Sequence, residues 1–459
     1  MNTSLFMSKS TTATHQLATE NIGKLIWTYS IPAIIGTVVM SLYNIVDRIF
    51  IGQGVGPLAI SGLALTFPFM ILLMAFGMLV GAGSAARISI TLGENNIEKA
   101  EKILANALTL TFIISGTVII LSYIYMSDVL QLFGGTPKTI RYAEEFMRII
   151  IPGAIFSALS FGFNNIMRAA GYPQKAMYTM IICAIINVVL DAIFIFGFHW
   201  GIKGAAMATN ISYLVGTVWV LSHFMQKSSN LKFHAQNFKL EKEIVLSIIS
   251  IGLSPFSMQL ATSFVYVLVN STLLHYGGDL AIGAFGIINS VNTLIIMIII
   301  GLNQGTQPII GYNFGAKNYG RMFKTLKYGV IIGTCITTFG FLVGTFLPHF
   351  MASLFTRDIG LQNIAAKALH ISVTMFPIIG LQIVVTNFFQ SIGKAKISIL
   401  LSLTRQVLFL IPCLLLLPAF YGLNGAWMAM PVSDGLSTVV TAVTIYFFVK
   451  KFKQKNRLS

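Results

Sequence analysis

The sequence predicts an all-α polytopic membrane protein, with twelve transmembrane helices in two parallel-repeat six-helix bundles around a central cleft. Three observations carry that fold class. The chain is 55% hydrophobic and 10% charged, against about 25% charged in an ordinary soluble domain, and its mean hydropathy is +0.80. Its apolar runs are long enough to cross about 30 Å of hydrocarbon, which takes roughly 20 helical residues. The second half of the chain also repeats the first at a shift of 222 residues.

The elements follow in order. The first twenty residues (MNTSLFMSKSTTATHQLATE) are rich in Ser and Thr, with no apolar core and no small-residue cleavage site, so they read as a flexible tail rather than a secretory signal. Residues 1–23 form that tail. Apolar runs then fall at about 24–51, 57–86, 101–127, 140–170, 174–198 and 202–226, giving a first lobe over 24–226. A polar linker, 227–243, contains KSSNLKFHAQNFKLEKE. Six more runs at 244–275, 280–304, 322–347, 362–391, 396–418 and 423–450 give a second lobe over 244–450, and 451–459 is a basic tail. Runs this uniformly apolar lack the alternation of barrel strands, so they are helices, the other structure that satisfies its own backbone in lipid.

Charge sets the orientation. With the N-terminus in the cytoplasm, that side holds 23 of the 30 Lys and Arg, among them Arg87, Lys99, Arg168, Lys175, Lys227 to Lys242, Lys317 to Lys327, Lys394, Arg405 and the tail KKFKQKNR. The other side keeps seven. The positive-inside rule then puts both termini in the cytoplasm of a cell inner (plasma) membrane protein. The net charge of +16 is therefore topological, lies in short loops, and does not mark a nucleic-acid partner.

The repeat is legible residue by residue. GPLAISGLALTFPF from Gly56 falls on GDLAIGAFGIINSV from Gly278, and GSAARISITLGENN from Gly83 falls on GTQPIIGYNFGAKN from Gly305. RAAG ending at Gly171 falls on QSIG ending at Gly393, and with a one-residue slip GIKGAAMATNIS from Gly201 falls on GLNGAWMAMPVS from Gly422. Six helices per copy is an even number, so the copies enter from the same side and are parallel repeats. Two such bundles facing each other are the layout of an alternating-access carrier; channels more often assemble a pore from several identical subunits.

Three acids lie deep in apolar spans: Asp47, Asp191 and Asp434. A carboxylate at that depth costs several kcal/mol and is a functional hypothesis by default; the alternative is a carboxylate paired with a base or held by backbone. Counting about 1.5 Å of rise per residue puts Asp47, Asp191 and Thr209 on the order of 10 Å below the outer surface. Asn187 lies one turn from Asp191 on the same helix face. The repeat supplies an internal control. Asp47 overlays Asn270, Asp191 overlays Pro412 or Cys413, Asn187 overlays Leu408 or Phe409, and Thr209 overlays Met430, so the second lobe lacks the cluster. Asp434 overlays Tyr213 and either caps locally, pairs or functions. Arg48 adjoins Asp47 in sequence; it either neutralises that carboxylate or snorkels to the outer interface.

These residues resemble the multidrug and toxic compound extrusion (MATE) transporters over nearly the whole chain. The resemblance rests on Ile31 and Pro32 in the first span, DRIFIG from Asp47, RISITLGENN, YNFGAKN, RAAGYPQKA and NVVLDAIFIFG. Asn187 and Asp191, with Asp47 and Thr209, are similar to the cation site of the DinF-like prokaryotic branch, which implies H⁺ or Na⁺ as the coupling ion and no other cofactor. The glutamate that the NorM-like branch carries in its seventh helix is absent from SPFSMQLATSFVYVLVN, which leaves the coupling site in the first lobe. The resemblance also implies a hinge at Pro32, against the plainer reading of an ordinary kink.

Two carboxylates confined together in low dielectric cannot both stay charged, so Asp47 and Asp191 are expected to take up one proton or one Na⁺ and to release substrate as they do. That makes the expected activity antiport, and the resemblance implies lipophilic, often cationic drugs or dyes as its substrates, carried by a monomer in the lipid bilayer. Met40, Tyr43, Phe161, Asn165, Met258, Gln259 and Tyr266 are the candidate cleft residues, in a chain with 20 Met and 35 Phe that suit adaptable binding. The alternative is a flippase or exporter of a lipid-linked or specific amphipathic metabolite, which would line its cleft with several bases. An enzyme is not expected. Glu144 and Arg148 read as an ordinary i, i+4 pair, GAGSAA from Gly81 follows no strand and reads as helix packing, and the histidines and the three cysteines show no ligand spacing.

Overall fold

The computed structural model describes residues 16–55, 57–132 and 140–456, nearly all of them helical. In the first half the helices are α1 (Ile22–Gly54), α2 (Pro57–Gly93), α3 (Ile97–Ile124), the short α4 (Met126–Leu132), α5 (Ile140–Ala169), α6 (Pro173–Asp191) with a π-turn over Ala192–Gly197, and α7 (Gly201–Met225). In the second half they are α8 (Lys242–Gly278), α9 (Leu280–Gly315), α10 (Tyr319–Phe346), the short α11 (Pro348–Ser353), α12 (Ile359–Ser372), α13 (Phe376–Ser391), α14 (Ala395–Leu403) with a π-turn over Thr404–Leu410, and α15 (Ile411–Asn456).

Twelve passes follow from these. Ten helical stretches among the described residues are long and apolar enough to span, and α12 with α13, bent by 59°, make an eleventh. The stretch Ala395–Asn456 has 62 residues and would be about 93 Å long if straight, far beyond one bilayer. It breaks at Gly422, whose φ of 56° and ψ of −138° are not helical, and so crosses twice. Every predicted span has its helix, and several overrun by a turn or more, because backbone hydrogen bonding does not stop at the headgroups.

The two halves share turn geometry as well as sequence. Positive φ recurs in register at Asn95 and Lys317, at Gly171 and Gly393, and at Gly201 and Gly422. Asn96 caps α3 by accepting from Lys99 N at 2.9 Å, and Asn318, 222 residues on, caps α10 by accepting from Arg321 N at 3.4 Å.

The lobes meet along a glycine seam on the basic half of the molecule. A Cβ on Gly93 would strike the backbone of Tyr312, and one on Gly315 would strike that of Ile90; these contacts exchange under the 222-residue shift, since 93 + 222 = 315 and 90 + 222 = 312. Gly83 against Gly252 and Gly305 against Ser30 are related in the same way. Thus α2 packs on α8 and α9, and α1 on α9, by a pseudo-twofold relation. Thr37 Oγ1 donates to Met297 O at 2.9 Å across the seam. Arg168 is only 2% exposed, and its guanidinium donates to Asn164 within its lobe and to Gln304 of the other. GAGSAA packs in both directions: Gly83 lies in the seam against the second lobe, and Gly81 lies against the backbone of Gly162 within its own lobe.

Two sequence expectations change here, at the two tails, and the linker proves to be anchored. The tail is not flexible as far as residue 20: Leu17 is buried, and Arg321 donates to Leu17 O at 3.1 Å and Glu20 O at 2.7 Å. The linker is pinned to α3, with Asn106 donating to Asn237 O at 3.0 Å and accepting from Glu241 N at 2.9 Å. Residues 451–456 continue α15, and Phe452 meets Tyr319 edge-on at 4.9 Å between centroids. In each case a short polar segment buries one apolar anchor or satisfies one buried polar group, which composition averaged over the segment conceals.

Candidate functional site

The polar cluster of the first lobe is built where α1 and α6 end together. Asp47 lies seven residues before the end of α1, and Asp191 is the last residue of α6. The π-turn that follows widens the helix and turns Ile195 and Phe196 onto α1: Phe50 meets Phe196 edge-on at 5.5 Å, and Gly54 leaves room for Ile195. Gly36 does the same for Met180 farther down. Close packing of the two helices thereby holds Asp47 beside Asp191, whose side chains lie within hydrogen-bonding reach of each other.

Asp191 is fully buried and Asn187 is 1% exposed. Asn187 Nδ2 donates to Thr209 Oγ1 of α7 at 3.3 Å, so all four predicted cation-site residues converge. Their oxygens are short of donors: among the described residues none reaches Asp47 Oδ1, either oxygen of Asp191, or Asn187 Oδ1. Three carboxylate oxygens and one amide oxygen facing inward, with no protein donor, fit a proton shared between the carboxyls or a hard cation that takes oxygen ligands. Arg48 makes no direct ion pair with Asp47 among the described residues: its guanidinium lies over the Phe67 ring at 5.5 Å and acts on Asp47 only through space.

Sequence reasoning missed the floor of this cluster. Tyr43, one turn below Asp47, has its hydroxyl 3.1 Å from that of Tyr213 on α7. Tyr43 therefore points into the first lobe beside the carboxyls, which corrects its expected place in the central cleft. A tyrosine four residues before a membrane aspartate was the available signal.

The other cleft candidates separate. Tyr266 sits at the lobe junction, its ring 5.7 Å from Phe67 of the first lobe and 5.4 Å from Phe285, with its hydroxyl accepting from Asn289 at 3.1 Å. Asn165 is buried, and Met40, Phe161, Met258 and Gln259 are half-buried. Pro32 is buried within α1, close to the seam bonds that Ser30 and Thr37 make to α9. Glu144 and Arg148 form the expected i, i+4 pair at 3.7 Å.

Asp434 has a partner. Arg405 Nε donates to its Oδ1 at 2.5 Å, with side-chain exposures of 20% and 5%. Arg405 is therefore inside the second bundle and does not belong with the surface charges that oriented the chain. Its π-turn, Thr404–Leu410, lies about 15 Å along the span from Ala395, and that depth was the neglected signal.

Comparison with known proteins agrees with this architecture. The MatE family model matches residues 32–193 and again 256–415, two segments offset by 256 − 32 = 224 and 415 − 193 = 222 residues. Multidrug export protein MepA of Staphylococcus aureus (strain MRSA252) is 29% identical over 424 residues, covering 91% of this chain and 92% of that protein. The Staphylococcus haemolyticus (strain JCSC1435) MepA is 27% identical over 432 residues, covering 93% and 94%. The solved structure of the MATE multidrug transporter DinF-BH in complex with rhodamine 6G superposes with a TM-score of 0.88 at 38% identity, covering 93% of this chain and 96% of that one. A MATE crystal structure in the bent conformation shares the fold with a TM-score of 0.90 at 23% identity, over 97% and 99%.

Proposed function

The chain belongs to the MATE family, and from that premise we propose that it is a secondary active multidrug exporter of a bacterial plasma membrane, expelling lipophilic, often cationic drugs or dyes in exchange for H⁺ or Na⁺. Its relatives are multidrug export proteins, and one of them binds rhodamine 6G. The observation that carries the coupling is the contact between Asp47 and Asp191 at oxygens no protein donor reaches.

Two unit charges about 4 Å apart repel by about 4 kcal/mol at an effective dielectric near 20. One proton or cation removes that repulsion. A full swing between two conformations takes about 5.5 kcal/mol of differential binding, so cation loading supplies much of what a lobe rearrangement needs. The part of α1 beyond Thr37 carries both Tyr43 and Asp47, while the turn around Pro32 is bonded to α9 on either side, at Ser30 and Thr37. Pro32 lacks the N–H that would complete the helix there, which leaves that turn able to bend. Loading the carboxyls lets the outer part of α1 repack on α6, which shrinks the space offered to substrate; the empty carboxylates re-open it. The same pair attracts a cationic substrate directly, so drug and coupling cation compete.

Ethidium efflux from proteoliposomes under an imposed pH gradient or an imposed Na⁺ gradient tests this. One gradient should drive efflux in the wild type and fail to do so in Asp191→Asn. Efflux that neither gradient drives, or that the variant retains, overturns the reading.

A further inference from the structure

The second lobe contains a partly open cavity of about 180 Å³, lined by residues of all six of its spans. Its walls are mostly aliphatic and aromatic, including Val265, Phe376 and Ile379, but Arg405, Asp434 and Asn292 also line it. Their bonding is incomplete in complementary ways. Arg405 spends Nε on Asp434 Oδ1 and makes no other side-chain hydrogen bond among the described residues, which leaves both terminal amino groups of the fork as donors. Asp434 Oδ2 has no donor among the described residues, and Asn292 Oδ1 is buried without one. The site thus offers a free guanidinium fork beside a free carboxylate oxygen, with apolar walls and the unsatisfied Asn292 elsewhere in the same lining.

A carboxylate alone would satisfy the fork but leave a net negative charge beside Asp434. An ammonium alone would satisfy Asp434 but sit against Arg405. A molecule carrying both leaves the buried site neutral, with charge-assisted bonds in both directions. The volume suits a small apolar body, since an engineered apolar cavity of about 150 Å³ accepts benzene. We propose that the second-lobe cavity binds a small zwitterion, an amino-carboxylate with an apolar body about the size of leucine, with its carboxylate on Arg405 and its ammonium on Asp434. This is a second ligand site, distinct from the Asp47–Asp191 pair, although Tyr266, one of the cleft candidates, also lines it.

The test is equilibrium binding of tritiated L-leucine to the purified full-length protein in lipid nanodiscs. Saturable binding near one leucine per chain is expected. Two half-molecules, 4-methylpentanoate with only the carboxylate and 3-methylbutylamine with only the ammonium, should compete at least about tenfold more weakly, each lacking a charge-assisted bond. Arg405→Lys keeps the charge but loses the fork and should weaken binding about tenfold or more. Met430→Phe, which fills the cavity without touching the ion pair, should abolish binding, and it decides the matter if the arginine variant does not fold. Asp191→Asn should bind leucine like the wild type whatever it does to efflux. No saturable binding, half-molecules that compete as well as leucine, a folded Met430→Phe protein that still binds, or loss of binding in Asp191→Asn would each overturn the proposal.

Discussion

The two lobes descend from one repeat, yet they hold their buried charge in opposite ways. In the first lobe two carboxyls face each other, and among the described residues no arginine or lysine is bonded to either. In the second a carboxylate has its own arginine at 2.5 Å. Both arrangements lie inside six-helix bundles of the same topology, and Asp434 overlays Tyr213, the partner of Tyr43. A buried carboxylate with a fixed counter-charge is a finished ion pair. One without is open to a mobile cation, and on the coupling proposed above its conformation depends on whether that cation is present. On that proposal the same fold provides a responsive lobe and a stable one, and the difference comes from a few side chains.

The largest expected effect comes from removing the responsive charge. Asp191→Asn should reduce gradient-driven ethidium efflux to the passive leak, while Asp434→Asn should leave gradient coupling intact. Equal loss in both variants would erase the distinction between the lobes. Next comes the fixed pair. Arg405→Gln leaves Asp434 buried without its counter-charge and should cost about 3–5 kcal/mol of stability, read as a fall in thermal midpoint in detergent. The double variant Arg405→Gln, Asp434→Asn should recover most of it. No equivalent loss is expected from Arg48→Gln, because Arg48 rests on Phe67 without pairing with Asp47.

Much of this was legible in the sequence, for a physical reason. The bilayer is a uniform solvent, so span positions, the repeat and the depth of each polar residue follow from counting at a fixed rise. That was enough to gather Asp47, Asn187, Asp191 and Thr209. Rotation about each helix axis was harder to read. Whether Tyr43 faces the cleft or its own lobe depends on how α1 packs on α6, which turns on Gly36, Gly54 and the π-turn after Asp191. The π-turn at Thr404–Leu410 has no composition signature, and grouping Arg405 with the surface bases hid the ion pair. Residues 16–20 were misread because one buried leucine and a few carbonyls accepting from Arg321 leave little trace in a Ser/Thr-rich stretch.

The seam, unlike the charged sites, is the same in both lobes, and substitutions there should behave as twins. Gly93→Ala and Gly315→Ala each push a methyl group into the opposing backbone and should each destabilise by about 1–3 kcal/mol through overpacking. Gly116→Ala, with nothing within 4 Å, is the control and should not destabilise. A large disagreement between the twins would mean that the pseudo-twofold relation fails where the lobes touch.

The smallest test asks how far the equivalence of the lobes extends into local chemistry. Asn96 and Asn318 occupy the same repeat position and cap α3 and α10, but at 2.9 Å and 3.4 Å respectively. Losing an N-cap asparagine typically costs about 1 kcal/mol, and the shorter bond should account for more of it. Asn96→Ala should therefore lower the thermal midpoint more than Asn318→Ala. The longer bond has a local cause: Arg321, whose N–H is the donor at Asn318, is also drawn by its side chain to Asn313, Leu17 O and Glu20 O. Its counterpart in the first lobe, Lys99, has no such set of contacts among the described residues. If Arg321→Ala made the two cap substitutions equal in cost, the clamp on residues 17–20 would be the source of the asymmetry. If they stayed unequal, the difference would lie in the turns themselves, despite the matching φ of 57° at Asn95 and Lys317.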